Sequence, residues 1–112
     1  MKRIEAIIRP EKFDAVQNAL RTNGWNKMTV SEVQGSGAQG GIQYISRGKS
    51  FCVPLISKIR IVIIAFDKNV DKIVNIILSE ARTDRGRGDG KIFISECLKS
   101  YRISDGKELL EE

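Results

Sequence analysis

Histidine is absent from this chain of 112 residues, and cysteine occurs only twice. The absence of histidine excludes a histidine-based catalytic triad and general acid–base catalysis by histidine. Cys52 and Cys97 do not have a metal-ligand spacing, which argues against a zinc site. A disulfide between them remains open, but free thiols are favoured in a reducing compartment.

Long apolar runs and clustered aromatic residues are also missing. No run approaches the roughly 20 apolar residues that cross a bilayer, and the first residues contain no signal-peptide core, so we expect a cytoplasmic protein. Aromatic residues make up only 6% and are not interleaved with basic ones, which argues against a base-stacking surface for nucleic acid. The formal net charge of +5 still fits a nucleic acid, an anionic lipid or a small phosphorylated ligand by its sign.

The apolar pattern predicts one domain, residues 1–112, in which strands and helices alternate. Period-two alternation predicts four strands and a shorter extended piece: residues 2–9, 28–34, 58–66, 91–95 and 98–103. Helical spacing predicts two helices: residues 11–22 and 67–82. Pro10 suits the first turn of one helix and Asp67 the N-cap of the other. We expect Trp25 to fill the helix–sheet seam, residues 104–106 to turn, and the tail from Lys107 to be loose.

This order of elements is typical of the α+β class, in its ferredoxin-like split βαβ (βαββαβ) form. Both helices then lie on one face of an antiparallel sheet. The strand at residues 58–66 also carries Val62 and Ile64 on its other side, so both of its faces are apolar. Another copy of the chain is the simplest cover for that second face, which predicts a homo-oligomer.

The most informative stretch is residues 83–93, TDRGRGDGKIF. Three glycines allow positive φ and let backbone N–H groups approach an oxyanion: Gly86, Gly88 and Gly90. Three side chains add positive charge: Arg85, Arg87 and Lys91. Phosphate is the expected guest, and a solvated turn whose glycines merely permit bends is the alternative. An aspartate between two glycines, here Asp89, more often braces its own loop than acts as a base.

A second glycine-rich stretch, residues 35–41, opens a loop of about twenty residues. Loops of this length in a compact domain are usually functional or mobile, although a hairpin extension without a role is the alternative.

In these motifs the chain resembles the PII signal-transduction family of nitrogen regulators. The resemblance covers nearly the whole chain and rests on residues 1–10, 28–37, 81–83 and 88–93, with Gln39 and Lys58 also matching. It implies a homotrimer that binds ATP and ADP, with AMP a further candidate, in clefts between subunits. It also implies three loops: a T-loop at about 37–55 that docks on partners, a phosphate-binding B-loop at about 83–91, and a C-terminal loop at about 102–112.

The resemblance implies site residues as well. Around the base and ribose it places Ile7, Met28, Thr29 and Ile64. From the other subunit, the end of the second strand with Gly35 and Gly37 is implied to close the cleft. Around the phosphates it places Arg87, Gly88, Asp89, Gly90, Lys91 and Arg102. Gln39 is implied to contact Mg²⁺ bound with ATP, and Lys58 to pair with a carboxylate of 2-oxoglutarate.

Several positions depart from the family pattern. Phe51 replaces the usual tyrosine, so uridylylation there is excluded. Other usual residues are replaced by Ala38, Gly40, Val62 and Ser104, and the B-loop is one residue longer. Charge-assisted hydrogen bonds contribute about 1.5–3 kcal/mol each, so losing the cations at 38 and 104 lowers ATP affinity by several decades unless Arg85 or Arg87 compensates. These departures favour ADP or AMP and weigh against 2-oxoglutarate sensing.

The resulting hypothesis is a regulator, not an enzyme, that controls a partner protein in nitrogen or carbon metabolism. The partner is an ammonium or bicarbonate transporter in the membrane or a metabolic enzyme. A slow nucleotide hydrolase with Asp89 as base is one alternative. An RNA-binding ferredoxin-like module is the other, but the central strands lack the aromatic pair it needs, so we expect no nucleic-acid partner.

Overall fold

A computed structural model describes residues 1–36, 43–46, 49–52 and 55–109, with the backbone alone for the two short middle ranges. Its elements follow in chain order: β1 (Lys2–Ile8), a 3₁₀ turn (Pro10–Lys12), α1 (Phe13–Thr22), β2 (Thr29–Gly35), β3 (Gln43–Ser46), β4 (Lys49–Cys52), β5 (Ile56–Ala65), α2 (Asp67–Ala81) and β6 (Gly90–Glu96).

Four of the strands form one antiparallel sheet in the order β2-β5-β1-β6. β1 lies between β5 and β6, pairing Ile7 with Arg60 on one side and with Lys91 on the other. This arrangement is the α+β ferredoxin-like fold, as the sequence pattern predicts. β3 and β4 form a separate antiparallel pair inside the long loop, where the sequence showed no clear period.

The core lies between this sheet and the two helices, because alternate residues of the central strands face the helices. β1 contributes Ile4, Ala6 and Ile8, and β5 contributes Ile61, Ile63 and Ala65, all buried. The helices contribute the residues of their apolar stripes: Val16 and Leu20 from α1, and Ile73, Ile77 and Ala81 from α2. Trp25 packs against this cluster as predicted.

The starts of both helices differ slightly from prediction. Pro10 begins a 3₁₀ turn, and α1 starts at Phe13, whose N–H bonds back to the Pro10 carbonyl. Asp67 is not an N-cap: that position belongs to Phe66, which is extended and makes no side-chain cap. β5 runs to Ala65, so Phe66 is the one linking residue and Asp67 already lies in the first turn, where its charge still favours the helix dipole.

The C-terminal part was predicted as a short extended piece, a turn at 104–106 and a loose tail. Residues 98–103 belong to none of the strands, and Leu98 and Ile103 are almost fully exposed. The chain turns at 103–105 instead, with Gly106 at φ +67°. It then pairs back on itself, since Arg102 N–H donates to the Lys107 carbonyl at 2.8 Å and Tyr101 bridges Glu108. We call residues 98–109 the C-terminal hairpin. Residues 107–109 of the tail that was expected to be loose thus pair back on the chain, and residues 110–112 lie outside the described residues.

Neither helix in the described part of the chain combines the length and the apolar character needed to span a membrane.

Neighbouring residues of α2 provide a test of this packing. We expect Ile73→Ala to lower the free energy of unfolding by about 2–5 kcal/mol, because it leaves a cavity under the sheet. The matched change at the adjacent exposed position, Lys72→Ala, should stay within about 0.5 kcal/mol of the unchanged protein. Urea unfolding at one fixed protein concentration measures both, and equal losses for the two variants would contradict this placement of the core.

Candidate functional site

The loop between α2 and β6, residues 82–89, has the glycine conformations that its sequence predicts. Gly86, Gly88 and Gly90 have φ values of +71°, +82° and +113°. Side chains disfavour this left-handed region, so the loop follows a path that few other residues allow.

Gly90 is constrained by space as well as by φ. It begins β6 opposite Ile8, so close to β1 that a Cβ there would lie 1.7 Å from the Ile7 carbonyl oxygen. No flexible side chain could move aside to make room, because the obstructing atoms belong to the backbone. The close approach of these two strands therefore fixes where the loop ends.

The Asp89 carboxylate braces the loop, as its position between two glycines predicts. It accepts hydrogen bonds from the Thr83 hydroxyl at 2.5 Å, the Thr83 N–H at 2.8 Å and the Arg9 Nε at 3.0 Å. The Thr83 hydroxyl, then the Thr83 N–H and then Arg9 lower the pKa of Asp89 from 3.8 to about 2. A carboxylate held this way is a weak base, which weakens the hydrolase alternative.

Arg9 is the residue of this site that sequence reasoning missed. The residue is 4% exposed, and its guanidinium reaches two positions of the loop, the Asp89 carboxylate and the Arg87 carbonyl. The contact partners lie about eighty residues away in sequence, so no local pattern announces them. The one available signal is an arginine at the end of a central strand, just before Pro10.

Lys58 faces the same loop from β5. Its Nζ donates to the Gly88 carbonyl at 2.6 Å. Burial, and next the nearby charge of Arg9, lower the pKa of the Lys58 ammonium from its ordinary value of 10.5. The inner side of the loop thus meets two cations, Arg9 just after β1 and Lys58 on β5.

These elements enclose an open cleft of about 450 Å³, within the size range of small-molecule sites. The structure brings eight predicted site residues to it: Ile7, Gly35, Lys58, Arg87, Gly88, Asp89, Gly90 and Lys91. It also adds Ser36, Ile56 and Phe93, which were not predicted as contacts, and Gly86, which was predicted to approach the phosphate. Arg87 lines the cleft, whereas Arg85 pairs with Glu11 at 3.4 Å. Of the two, Arg87 is therefore better placed to compensate for the family's cations that Ala38 and Ser104 replace.

The other predicted residues lie elsewhere in the chain. Thr29 pairs with Val62 and Ile64 with Arg3, toward the opposite end of β5 from Lys58, and Met28 adjoins that region. Arg102 sits on the C-terminal hairpin, where it donates to Asp105 at 2.9 Å.

Two predicted residues, Gly37 and Gln39, lie outside the described residues, as do Ala38 and Gly40. Gly35 lies in the cleft of its own chain, because β2 pairs with β5 and ends beside Lys58. The expected contribution of Gly35 from a neighbouring subunit stays a prediction, because the structure describes a single chain.

The fold and this loop define a small ferredoxin-like domain with a glycine-rich turn at the end of its sheet. A family model described as "Nitrogen regulatory protein P-II" matches residues 1–107. The chain belongs to the nitrogen regulatory protein P-II family, which confirms the resemblance seen in its motifs. This family supports a signalling role in nitrogen regulation, and its members are regulators of other proteins rather than enzymes.

Curated relatives agree over nearly their whole length. "Nitrogen regulatory protein P-II 2" of Methanothermobacter thermautotrophicus is 46% identical over 96% of this chain and 92% of its own. "Nitrogen regulatory protein P-II" of Nostoc punctiforme is 44% identical over 99% and 98%, and that of Cereibacter sphaeroides is 42% identical over 96% and 95%.

Substitutions at Gly86 and Gly90 distinguish the cost of a positive φ from the cost of a steric clash with the neighbouring strand. Gly86→Ala should cost about 1–2 kcal/mol of stability for its positive φ alone, because open space surrounds that position. Gly90→Ala should cost clearly more, because it also forces β6 away from β1. Thermal unfolding of both variants measures the difference, and similar costs would show that the close approach at Gly90 is not a constraint.

The pKa of Asp89 predicts an acid dependence of stability. Its folded pKa of about 2 lies below the ordinary 3.8, so the ionised group stabilises the fold. That contribution is complete above about pH 4 and is lost as the pH falls toward about 2. We expect the free energy of unfolding to fall more steeply over this range in the unchanged protein than in Asp89→Asn. Parallel curves for the two proteins would rule out the brace.

Proposed function

We propose that this protein is a cytoplasmic homotrimer that binds adenine nucleotides, ATP and ADP with AMP as a further candidate, in clefts between its subunits. It then regulates a partner protein through the loop at residues 37–55. The partner is a membrane transporter for ammonium or bicarbonate, or an enzyme of nitrogen or carbon metabolism. The observation that carries the proposal is the cleft beside the braced glycine-rich loop.

The chemistry of that cleft suits a polyphosphate. Positive charge comes from Lys58, Arg87 and Lys91, and the glycines let backbone N–H groups approach an anion. Lys91 is exposed at the start of β6 and makes no ion pair within the described part of the chain, so its ammonium is available to a ligand. Ile7, Ile56 and Phe93 supply apolar surface at the same cleft, as a nucleoside requires.

A neighbouring subunit explains the residues that the single chain keeps apart. Met28, Thr29 and Ile64 lie at the other end of the sheet, and Arg102 lies on the C-terminal hairpin. These residues join a nucleotide only if a second protomer places them at the mouth of the cleft. Exposed apolar side chains support such packing: Phe93 is 51% exposed, Tyr101 58%, Leu98 88% and Ile103 99%.

The route from ligand to partner begins at the base of the long loop. Gly35 and Ser36 line the cleft and end β2, and the β3–β4 pair follows a few residues later. A nucleotide in the cleft therefore contacts the chain segment that leads into the proposed docking loop. We include Mg²⁺, through Gln39, and 2-oxoglutarate, through Lys58, as ligands to be tested with ATP.

Calorimetric titration tests the proposal. ADP should bind, and Lys91→Gln should weaken it by roughly ten- to a hundredfold, because one charge-assisted contact of about 1.5–3 kcal/mol is lost. The same charge removal at Lys72→Gln, on an exposed turn of α2, is the control and should leave ADP affinity unchanged.

Parallel titrations with ATP and AMP, with and without Mg²⁺, 2-oxoglutarate and bicarbonate, rank the ligands. The absence of heat with every nucleotide would remove the proposal. Equal losses for Lys91→Gln and Lys72→Gln would show that net charge, rather than this cleft, governs binding.

A further inference from the structure

We propose that Arg9 is the positioning residue of the phosphate loop: its guanidinium holds Arg87 and Asp89 so that the Gly88 N–H faces the cleft before a nucleotide arrives. This inference rests on the proposed nucleotide site and assigns the residue that shapes it. Arg9 is not among the residues that line the cleft, so it acts through the loop rather than on the ligand.

Arg9 contacts the residues on both sides of Gly88, the glycine whose N–H we expect to meet the phosphate. Its Nη2 donates to the carbonyl of Arg87 and its Nε donates to the carboxylate of Asp89 at 3.0 Å, which are the residues on either side of Gly88. A guanidinium presents these donors in one rigid plane, so the two acceptors are held at a fixed separation. An ammonium is a single point of charge and cannot hold both in this way.

The geometry of the peptide bond means that these contacts also set the direction of the Gly88 N–H. The described peptide bonds are all trans, and a trans peptide points its C=O and its N–H in opposite directions. Because the Arg87 carbonyl points toward Arg9, the N–H of Gly88 in the same peptide points away from Arg9. Gly88 lines the cleft, so that N–H is directed toward the place where we expect phosphate.

Lys58 bonds to the next carbonyl of the loop, that of Gly88, and fixes its direction in the same way. Its Nζ donates to the Gly88 oxygen at 2.6 Å, and the following N–H, that of Asp89, bonds to the Gly86 carbonyl at 3.2 Å. Two carbonyl oxygens that would repel an anion are thereby occupied by cations. The loop is arranged in advance for a negative ligand, which reduces the cost of ordering it on binding.

The burial of the Arg9–Asp89 ion pair indicates that it shapes the loop in addition to any contribution to stability. The Arg9 side chain is 5% exposed and that of Asp89 17%. A buried ion pair roughly breaks even against apolar residues of similar volume, because desolvation offsets its attraction. A unique loop conformation is then the main result of keeping the pair.

The test replaces Arg9 with lysine, which keeps the charge and removes the rigid pair of donors. Arg9→Lys should weaken ADP by about ten- to a hundredfold and leave the weak binding of adenosine unchanged, because only the phosphates meet the loop. The Gly88 amide should shift in the nitrogen–proton NMR spectrum and exchange its hydrogen faster. The matched control is Arg3→Lys, on the strand β1 that Arg9 follows. The Arg3 guanidinium bonds to Glu5 at 3.0 Å, and its replacement should leave all three measurements unchanged.

Three results would overturn the inference. An Arg9→Lys protein that binds ADP like the unchanged protein overturns it, and the nucleotide site itself then stands. Weaker ADP binding with an unaltered Gly88 amide shows that Arg9 acts as a distant charge and not through the loop. Equal losses for ADP and adenosine show a merely structural role.

Two further cases keep the test decisive. If the unchanged protein binds no nucleotide, the proposed function fails, and the Gly88 amide alone decides whether Arg9 positions the loop. If Arg9→Lys does not fold, Asp89→Ala removes the acceptor from the other side and should alter the Gly88 amide in the same way. An unaltered Gly88 amide in that variant also overturns the inference.

Discussion

The close approach of two backbones, where β6 begins beside β1, is the constraint on which the rest of the site depends. Gly90 lies so near the Ile7 carbonyl that any side chain would meet backbone atoms. The loop that precedes Gly90 must therefore arrive at one place and in one direction. Residues 82–89 have little freedom left once α2 ends at Ala81 and β6 begins at Gly90.

Contacts between charged groups then fix the conformation of that short loop. The Asp89 carboxylate turns back to Thr83, at the other end of the loop, and to Arg9, which directly follows β1. Arg9 and Lys58 are partly desolvated neighbours of like charge, an arrangement that is unfavourable unless acceptors surround it. The carboxylate and two loop carbonyls are those acceptors, so the same contacts that satisfy the cations also orient the loop.

The sequence predicted the sheet, the helices and the loop glycines, because each depends on local pattern. Alternation placed Ile4, Ala6 and Ile8 on one buried face, and spaced glycines indicated positive φ before β6. Asp89 was predicted as a brace for the same reason, since its partner Thr83 lies six residues away. These features required no knowledge of distant parts of the chain.

Features that depend on distant neighbours were missed or wrongly predicted. Arg9 meets a loop near the other end of the chain, and no local pattern reveals such a contact. Residues 98–103 were predicted as a short extended piece, but their pattern does not reveal that the chain folds back there as a hairpin. Asp67 looks like an N-cap, yet the length of β5 assigns that position to Phe66.

A crystal structure of the protein with ADP is the most direct test of the central claim that a braced loop awaits a phosphate chain between subunits. The account predicts the diphosphate against the Gly88 N–H and Lys91, with the Arg9–Asp89 contact unchanged and a second protomer closing the cleft. A nucleotide bound away from this loop, or a loop that rearranges so that Arg9 releases Asp89, would contradict it.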